Sequence, residues 1–126
     1  MDALLGRFAP YFYALMRIVV GLLFMCHGAQ KLFGVLGGHR MPLMSQMGLA
    51  GVIEFGGGLL IAMGLFASIA AFIAAGEMAY AYFTVHAPKG TFPIQNAGEL
   101  AVLYCFVFLY IASRGNGILS VGGGKR

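Results

Sequence analysis

The sequence predicts an all-α protein in which four hydrophobic helices cross a bilayer as an antiparallel bundle, with both termini on the same side. Three observations predict it. Hydrophobic residues make up 60% of the chain and charged residues only 10%, whereas a soluble domain carries about a quarter charged residues. The mean hydropathy is +0.87. The apolar residues also fall into four runs separated by short Gly- and Pro-containing segments, and spans of roughly 20 residues each use almost all of the 126 residues. One membrane domain over 1–126 follows, with no room for a separate soluble catalytic domain.

The first span is predicted over 11–33, interrupted by Arg17 and by the cluster His27, Gln30 and Lys31. The segment from Gly34 to Gln46, with paired glycines and Pro42, has the composition of a loop or a short interfacial helix. The second span, 48–66, carries Glu54 followed by Gly56, Gly57 and Gly58, residues that let membrane helices approach closely. The third, 68–86, has Glu77 near its middle and must follow the second through a very short turn. Ala87 to Gln95 contains two prolines and Gly90 and reads as a connection before the fourth span, 96–113. The glycine-rich tail after Ser113 is expected to be poorly ordered outside the membrane.

The net charge of +4 does not point to nucleic acid, because the basic residues are scattered singly apart from Lys125 and Arg126. Arg7, Arg114, Lys125 and Arg126 fall on the side of the termini, and Arg40 and Lys89 on the other, with Lys31 near it. The positive-inside rule then predicts cytoplasmic termini. Arg7 precedes an apolar run as in a signal peptide, but no small-residue cleavage site follows, so the run is expected to remain as the first span. Cys26 and Cys105 form neither a CxxC pair nor a metal-ligand spacing. They read as buried thiols; a redox pair would require both sulfurs at one depth on touching helices.

In that orientation polar residues from every span converge on one half of the membrane: His27, Gln30 and Lys31, then Glu54, then His86, then Asn96 and Glu99. Arg17, Gly21, Phe24, Gly28 and Lys31 share a helix face that should look into the bundle, with His27 at its flank. Arg17 lies roughly 15 Å deeper than His27 and is predicted to pair with Glu77. Charges near the membrane centre cost about 2.5 to 3.5 kcal/mol each on insertion scales, so these groups must be paired or functional. The structural alternative is register-fixing ion pairs, with Lys31 snorkelling to the interface and Gln30 acting only as a helix-end group. His27 and His86 are also candidate haem ligands, although haem requires matched depth. The Phe, Tyr and Met residues are expected to serve packing and lipid contact.

The motifs HGAQKLFG (27–34), EFGGGLLIAMGLF (54–66), MAYAYFTVH (78–86), PIQNAGELAVLY (93–104) and RGNGILS (114–120), in this order and spacing, resemble the DoxX family of small bacterial membrane proteins. The resemblance covers nearly the whole chain. It implies a four-helix bundle in a bacterial inner membrane and an association with redox chemistry, since related proteins are subunits of a thiosulfate:quinone oxidoreductase and others belong to oxidative-stress and thiol-handling assemblies. The positions matching the family's polar pattern are Arg17, His27, Gln30, Lys31, Glu54, His86, Asn96 and Glu99. The chain departs from the pattern at Phe92, where the family often has tryptophan, and at Val121, where an acidic residue often follows the terminal serine.

The leading expectation is a quinone-linked membrane subunit. Glu54, Glu99 and His27 would do the acid–base work, and Arg17, Gln30, Lys31, Glu77, His86 and Asn96 would surround a quinone head group or similar small redox molecule. The chain has no CxxC, iron–sulfur spacing or dinucleotide fingerprint, so electrons would come from a redox protein partner or a bound cofactor. A small proton-coupled transporter acting as a homo-oligomer is the alternative from another class, and a non-catalytic assembly subunit is the third.

Overall fold

The computed structural model describes residues 1–123, and every regular element among them is helical. Lys125 and Arg126, assigned by charge to the side of the termini, lie outside the described residues. The elements are α1 (Asp2–Gly6), α2 (Ala9–Phe33), α3 (Gln46–Met63), α4 (Ala67–Ala81), α5 (Pro93–Asn96) and α6 (Glu99–Arg114). Between α4 and α5 the chain continues as a π-helical turn, Tyr82–His86, and a 3-10 turn, Ala87–Lys89.

Local chemistry sets the boundaries. Pro10 sits in the first turn of α2, where a missing N–H costs nothing. The helix stops at Gly34, which is left-handed (φ 70°) and donates its N–H to the Gln30 carbonyl. Ser45 caps α3 by accepting from the Gly48 N–H at 3.0 Å, so that helix begins two residues before the predicted Gly48. Gly64, also left-handed, ends it. Only Gly64, Leu65 and Phe66 separate α3 from α4, the very short turn the sequence demands. The first N–H of α4, on Ala67, is capped from far along the chain by Asn116 Oδ1 at 2.9 Å.

Three of the helical segments are long and apolar enough to cross a membrane: Ala9–Phe33, Gln46–Met63 and Ala67–Lys89. The fourth long helix, α6, has 16 residues, about 24 Å of rise against a hydrocarbon core of about 30 Å. Large apolar side chains such as Leu15, Leu23, Ile69, Phe72, Leu103 and Phe106 are more than half exposed on the outer surface. That surface suits lipid rather than water.

Two tightly packed pairs make the interior. α2 lies along α3 in opposite order, with Gly21 against Gly58 and Ala62, and Gly28 against Gly51 and Phe55. A Cβ on Gly58 would come 2.6 Å from the Gly21 carbonyl oxygen, so only glycine permits this backbone approach. Gly56 and Gly57, expected to share that role, do not: a Cβ on either meets nothing within 4 Å, because one helical turn can present only one of three successive residues to the same neighbour. α4 lies along α6 through Ala70, Ala71, Ala74 and Ala75, packed against Tyr104, Phe108 and Ile111. Phe24 of α2 ties the pairs together, its ring centroid 4.7 Å from that of Phe108 and 5.4 Å from that of Tyr104.

Two expectations are corrected here. The tail is not loose through Gly123, because Val121 N–H bonds the Met63 carbonyl at 2.8 Å and Gly122 N–H bonds that of Gly64 at 3.0 Å. The open C-terminal carbonyls of α3 supply the partners that make this docking favourable. Cys26 is exposed and Cys105 half-buried, and both are free thiols. Cys26 precedes His27 on the outward side of α2, which its apolar sequence surroundings do not distinguish from the inward side.

Candidate functional site

A cavity of about 590 Å³ lies between the parts of α3 and α4 farthest from their connecting turn, closed behind by α2 and α6. Most of its wall is apolar. Lys31, Glu54, Glu77, His27 and His86 give it a polar region, contributed by three separate stretches of chain.

Lys31 lies one turn beyond His27 on α2, and the glycine contact at Gly28 and Gly51 holds α2 close enough to α3 for its ammonium to reach Glu54. Lys31 Nζ donates to both carboxylate oxygens of Glu54, at 2.8 and 2.6 Å. Glu54 is 1% exposed and Lys31 23%. A buried carboxylate without that cation would carry a desolvation cost of several kcal/mol; the pair therefore belongs together. Glu77 of α4 interacts with both Glu54 and Lys31, yet its Oε1 is buried with no hydrogen-bond partner among the described residues. The local count is one cation and two carboxyl groups, so the cluster is neutral when it holds one proton.

His27 stands edge-on to Tyr104, with ring centroids 6.1 Å apart. No described residue hydrogen-bonds its ring nitrogens. His86 enters the wall from the π-helical turn, where its Nδ1 is 3.1 Å from the Asn96 carbonyl. Such single π turns recur at functional sites because the extra residue re-aims side chains. Asn96 is buried and fastens the loop above the cavity: its Nδ2 donates to Tyr82 Oη and the Gly90 carbonyl, both at 3.1 Å, and its Oδ1 accepts from Gly98 N–H at 2.9 Å. At the rim, Gln46 Nε2 donates to Tyr80 Oη, a side-chain bridge between α3 and α4. Met47, Ile73 and Tyr80 are both cavity wall and 43%, 51% and 53% exposed, so the cavity opens sideways onto the outer apolar surface.

Of the nine residues proposed from sequence, five line this cavity, and four lie elsewhere. Arg17 is corrected most strongly. It is fully buried at the opposite end, donating from Nη1 to the carbonyls of Ile61 and Ala62 at 2.9 Å each and from Nη2 to those of Ile118 and Leu119 at 3.2 and 2.7 Å. It does not pair with Glu77, because helix-end and tail carbonyls at its own level already accept its protons. Glu99 is exposed in the first turn of α6, where its charge complements the helix dipole, and is no part of the cavity wall. Gln30 donates to the Leu36 carbonyl at 2.8 Å and holds the following loop. Asn96 positions the cap without lining the cavity.

Sequence reasoning missed Tyr104, Tyr80 and Gln46. Tyr104 belongs to a three- and four-residue stripe, Ala101, Tyr104, Phe108 and Ile111, that reads as plain core. Among the described residues no group of three or more His, Cys, Asp or Glu side chains is arranged to hold a metal ion.

The comparisons with known proteins bear on this geometry. The DoxX family model matches residues 12–87, which take in α2 from Phe12 onward, α3, α4 and the π turn, and with them all five polar cavity residues. A protein of Haemophilus influenzae, itself described as uncharacterized, is 46% identical over 120 residues, 90% of each chain. No solved structure matches. With a family model spanning more than half its length and a relative aligned nearly end to end, this chain belongs to the DoxX family.

Proposed function

We propose that this protein is a redox-associated subunit of a bacterial inner membrane that binds a quinone, or a similar small redox molecule, in the cavity between α2, α3, α4 and α6. In this reading α6 is a fourth span, the four helices form an antiparallel bundle, and the termini, with Arg7 and Arg114, face the cytoplasm. One observation carries the proposal: on the wall of a largely apolar cavity, a part-buried lysine–glutamate pair lies beside Glu77, whose Oε1 has no partner among the described residues.

Buried polar atoms are nearly always satisfied, so an orphan oxygen on a residue of the cavity wall supports a ligand or ordered water beside it. The apolar wall and sideways opening suit a molecule arriving from lipid, and the polar groups suit a head group with carbonyl oxygens. Reducing a bound quinone to the quinol would take two electrons, from a redox protein partner, and two protons, one from Glu77 and one from water. Lys31 Nζ and a ring N–H of His27 are the donors available to carbonyl oxygens. Glu77 holds a transferable proton, and Glu54 keeps Lys31 in place. Tyr104 orients His27, and Asn96 holds the loop that carries His86.

The test is to purify the protein in mild detergent, record its visible spectrum, and identify bound small molecules by mass spectrometry after extraction. A copurifying quinone, depleted in Glu54→Gln while the helical content is kept, is the expected result. A Soret band lost in His27→Ala and His86→Ala would replace quinone by haem. Proton-coupled uptake into vesicles with no bound redox molecule would favour the transporter, and an empty cavity with no uptake the assembly subunit.

A further inference from the structure

The cation at the other end of α6 has no ionic partner. Arg17 is engaged by four carbonyls and Lys31 by Glu54. Arg114, in the last turn of α6, has neither an ion pair nor a hydrogen bond with any described residue, and its Nε is buried. Its guanidinium sits 5.8 Å from the ring centroids of both Tyr13 and Tyr110. Those rings hold the cation by their faces and supply no acceptor to its N–H donors, of which the buried Nε has no partner among the described residues. The tyrosine frame is fixed, since Tyr13 Oη donates to the Gly115 carbonyl at 2.6 Å.

The same two tyrosines line a groove of about 500 Å³, with Leu5 of α1 and Phe12 and Met16 of α2. A hydrogen-bond-poor guanidinium thus lies against two residues of the wall of an apolar groove, an arrangement suited to an amphiphile with an anionic head. Charge agrees: Arg7, stacked on Phe8 at 4.9 Å, lies at the same end. The acid there is Asp2, on the groove wall, while Glu54, Glu77 and Glu99 belong to the opposite half.

We propose that Arg114 binds the phosphodiester of an anionic phospholipid, with an acyl chain lying in the groove beneath α1. A guanidinium offers paired N–H donors matched to two phosphate oxygens, and basic pockets at the membrane face are where such head groups bind. Asp2 sets the depth of the head group by keeping its charge on the Arg114 side of the groove. This site is separate from the quinone cavity and does not depend on what that cavity holds.

The experiment is native mass spectrometry of the full chain, delipidated and then exposed to phosphatidylglycerol or phosphatidylcholine in the same detergent. Wild type should retain phosphatidylglycerol preferentially. Arg114→Gln should lower retention by about tenfold or more, and Arg114→Lys should retain an intermediate amount. Leu5→Asp should also release the lipid although the guanidinium is intact, which separates a lipid site from capture of a free phosphate. Equal retention of the two lipids by wild type would overturn the proposal. So would wild-type retention in Arg114→Gln. If Arg114→Gln does not fold, the wild-type lipid comparison and Leu5→Asp decide it.

Discussion

The two ends of the molecule bury charge in opposite ways. At one, Arg17 is wholly enclosed, and its Nη1 and Nη2 are engaged by four backbone carbonyls from the end of α3 and the tail, leaving Nε alone without a partner among the described residues. At the other, Lys31 and Glu54 satisfy each other, but Glu77 Oε1 is left without a partner and about 590 Å³ of space lies alongside. Buried ionic groups in a membrane are therefore not one class. A charge closed on all sides fixes shape, whereas an open-ended cluster beside a cavity has capacity left for a ligand or a proton.

Substitutions at the two ends should separate along that line. Arg17→Met takes the donor from four carbonyls, of which that of Ile61 keeps the Gly64 N–H, at about 1–3 kcal/mol for each one left buried and unpaired, and should be the most damaging change, with a large fall in melting temperature in detergent. Gly58→Leu forces apart α2 and α3, which meet at Gly21 and Met25. It should cost about 1–3 kcal/mol or more and, by moving Lys31 off Glu54, lower ligand occupancy too. Removing the distant cap on α4 with Asn116→Ala should cost about 1 kcal/mol and leave occupancy unchanged, since the cap lies at the Arg17 end. Gly57→Ala should fall within about 1 kcal/mol of wild type, on the stabilising side. A large loss there would show that the outward glycine face is covered by another chain.

The helices were legible from the sequence wherever a hydrophobic run met a clear stop signal such as Gly34, whereas the second span, expected to run to Phe66, ends at Met63 before the left-handed Gly64. The inward face of α2 was legible too, because Arg17, Gly21, Phe24 and Gly28 repeat at helical spacing and are all buried. The cavity residues on α2, α3 and α4 could be named because ionisable side chains are rare in such segments. Their partners could not. A helix C-terminus offers carbonyls to Arg17 with no side-chain signature, so the sequence paired it with Glu77, the nearest visible acid. The π turn that aims His86 leaves no periodic trace in five residues. Glu99 misled because depth along a helix does not tell which way a side chain faces. Tyr104 was overlooked because an aromatic in an apolar stripe looks like packing until a histidine is found against its ring edge.

The central claim, that Glu77 can act on a ligand because its Oε1 has no hydrogen-bond partner among the described residues, is tested most directly by titrating purified, ligand-depleted protein with a soluble short-chain quinone and following intrinsic tyrosine fluorescence. The wild type should bind saturably. Glu77→Gln should keep the wild-type melting temperature to within a few degrees but bind about tenfold more weakly. Equal affinity in the two proteins, or loss of binding only together with loss of the fold, would mean that Glu77 serves structure alone and that the two ends do not differ as described.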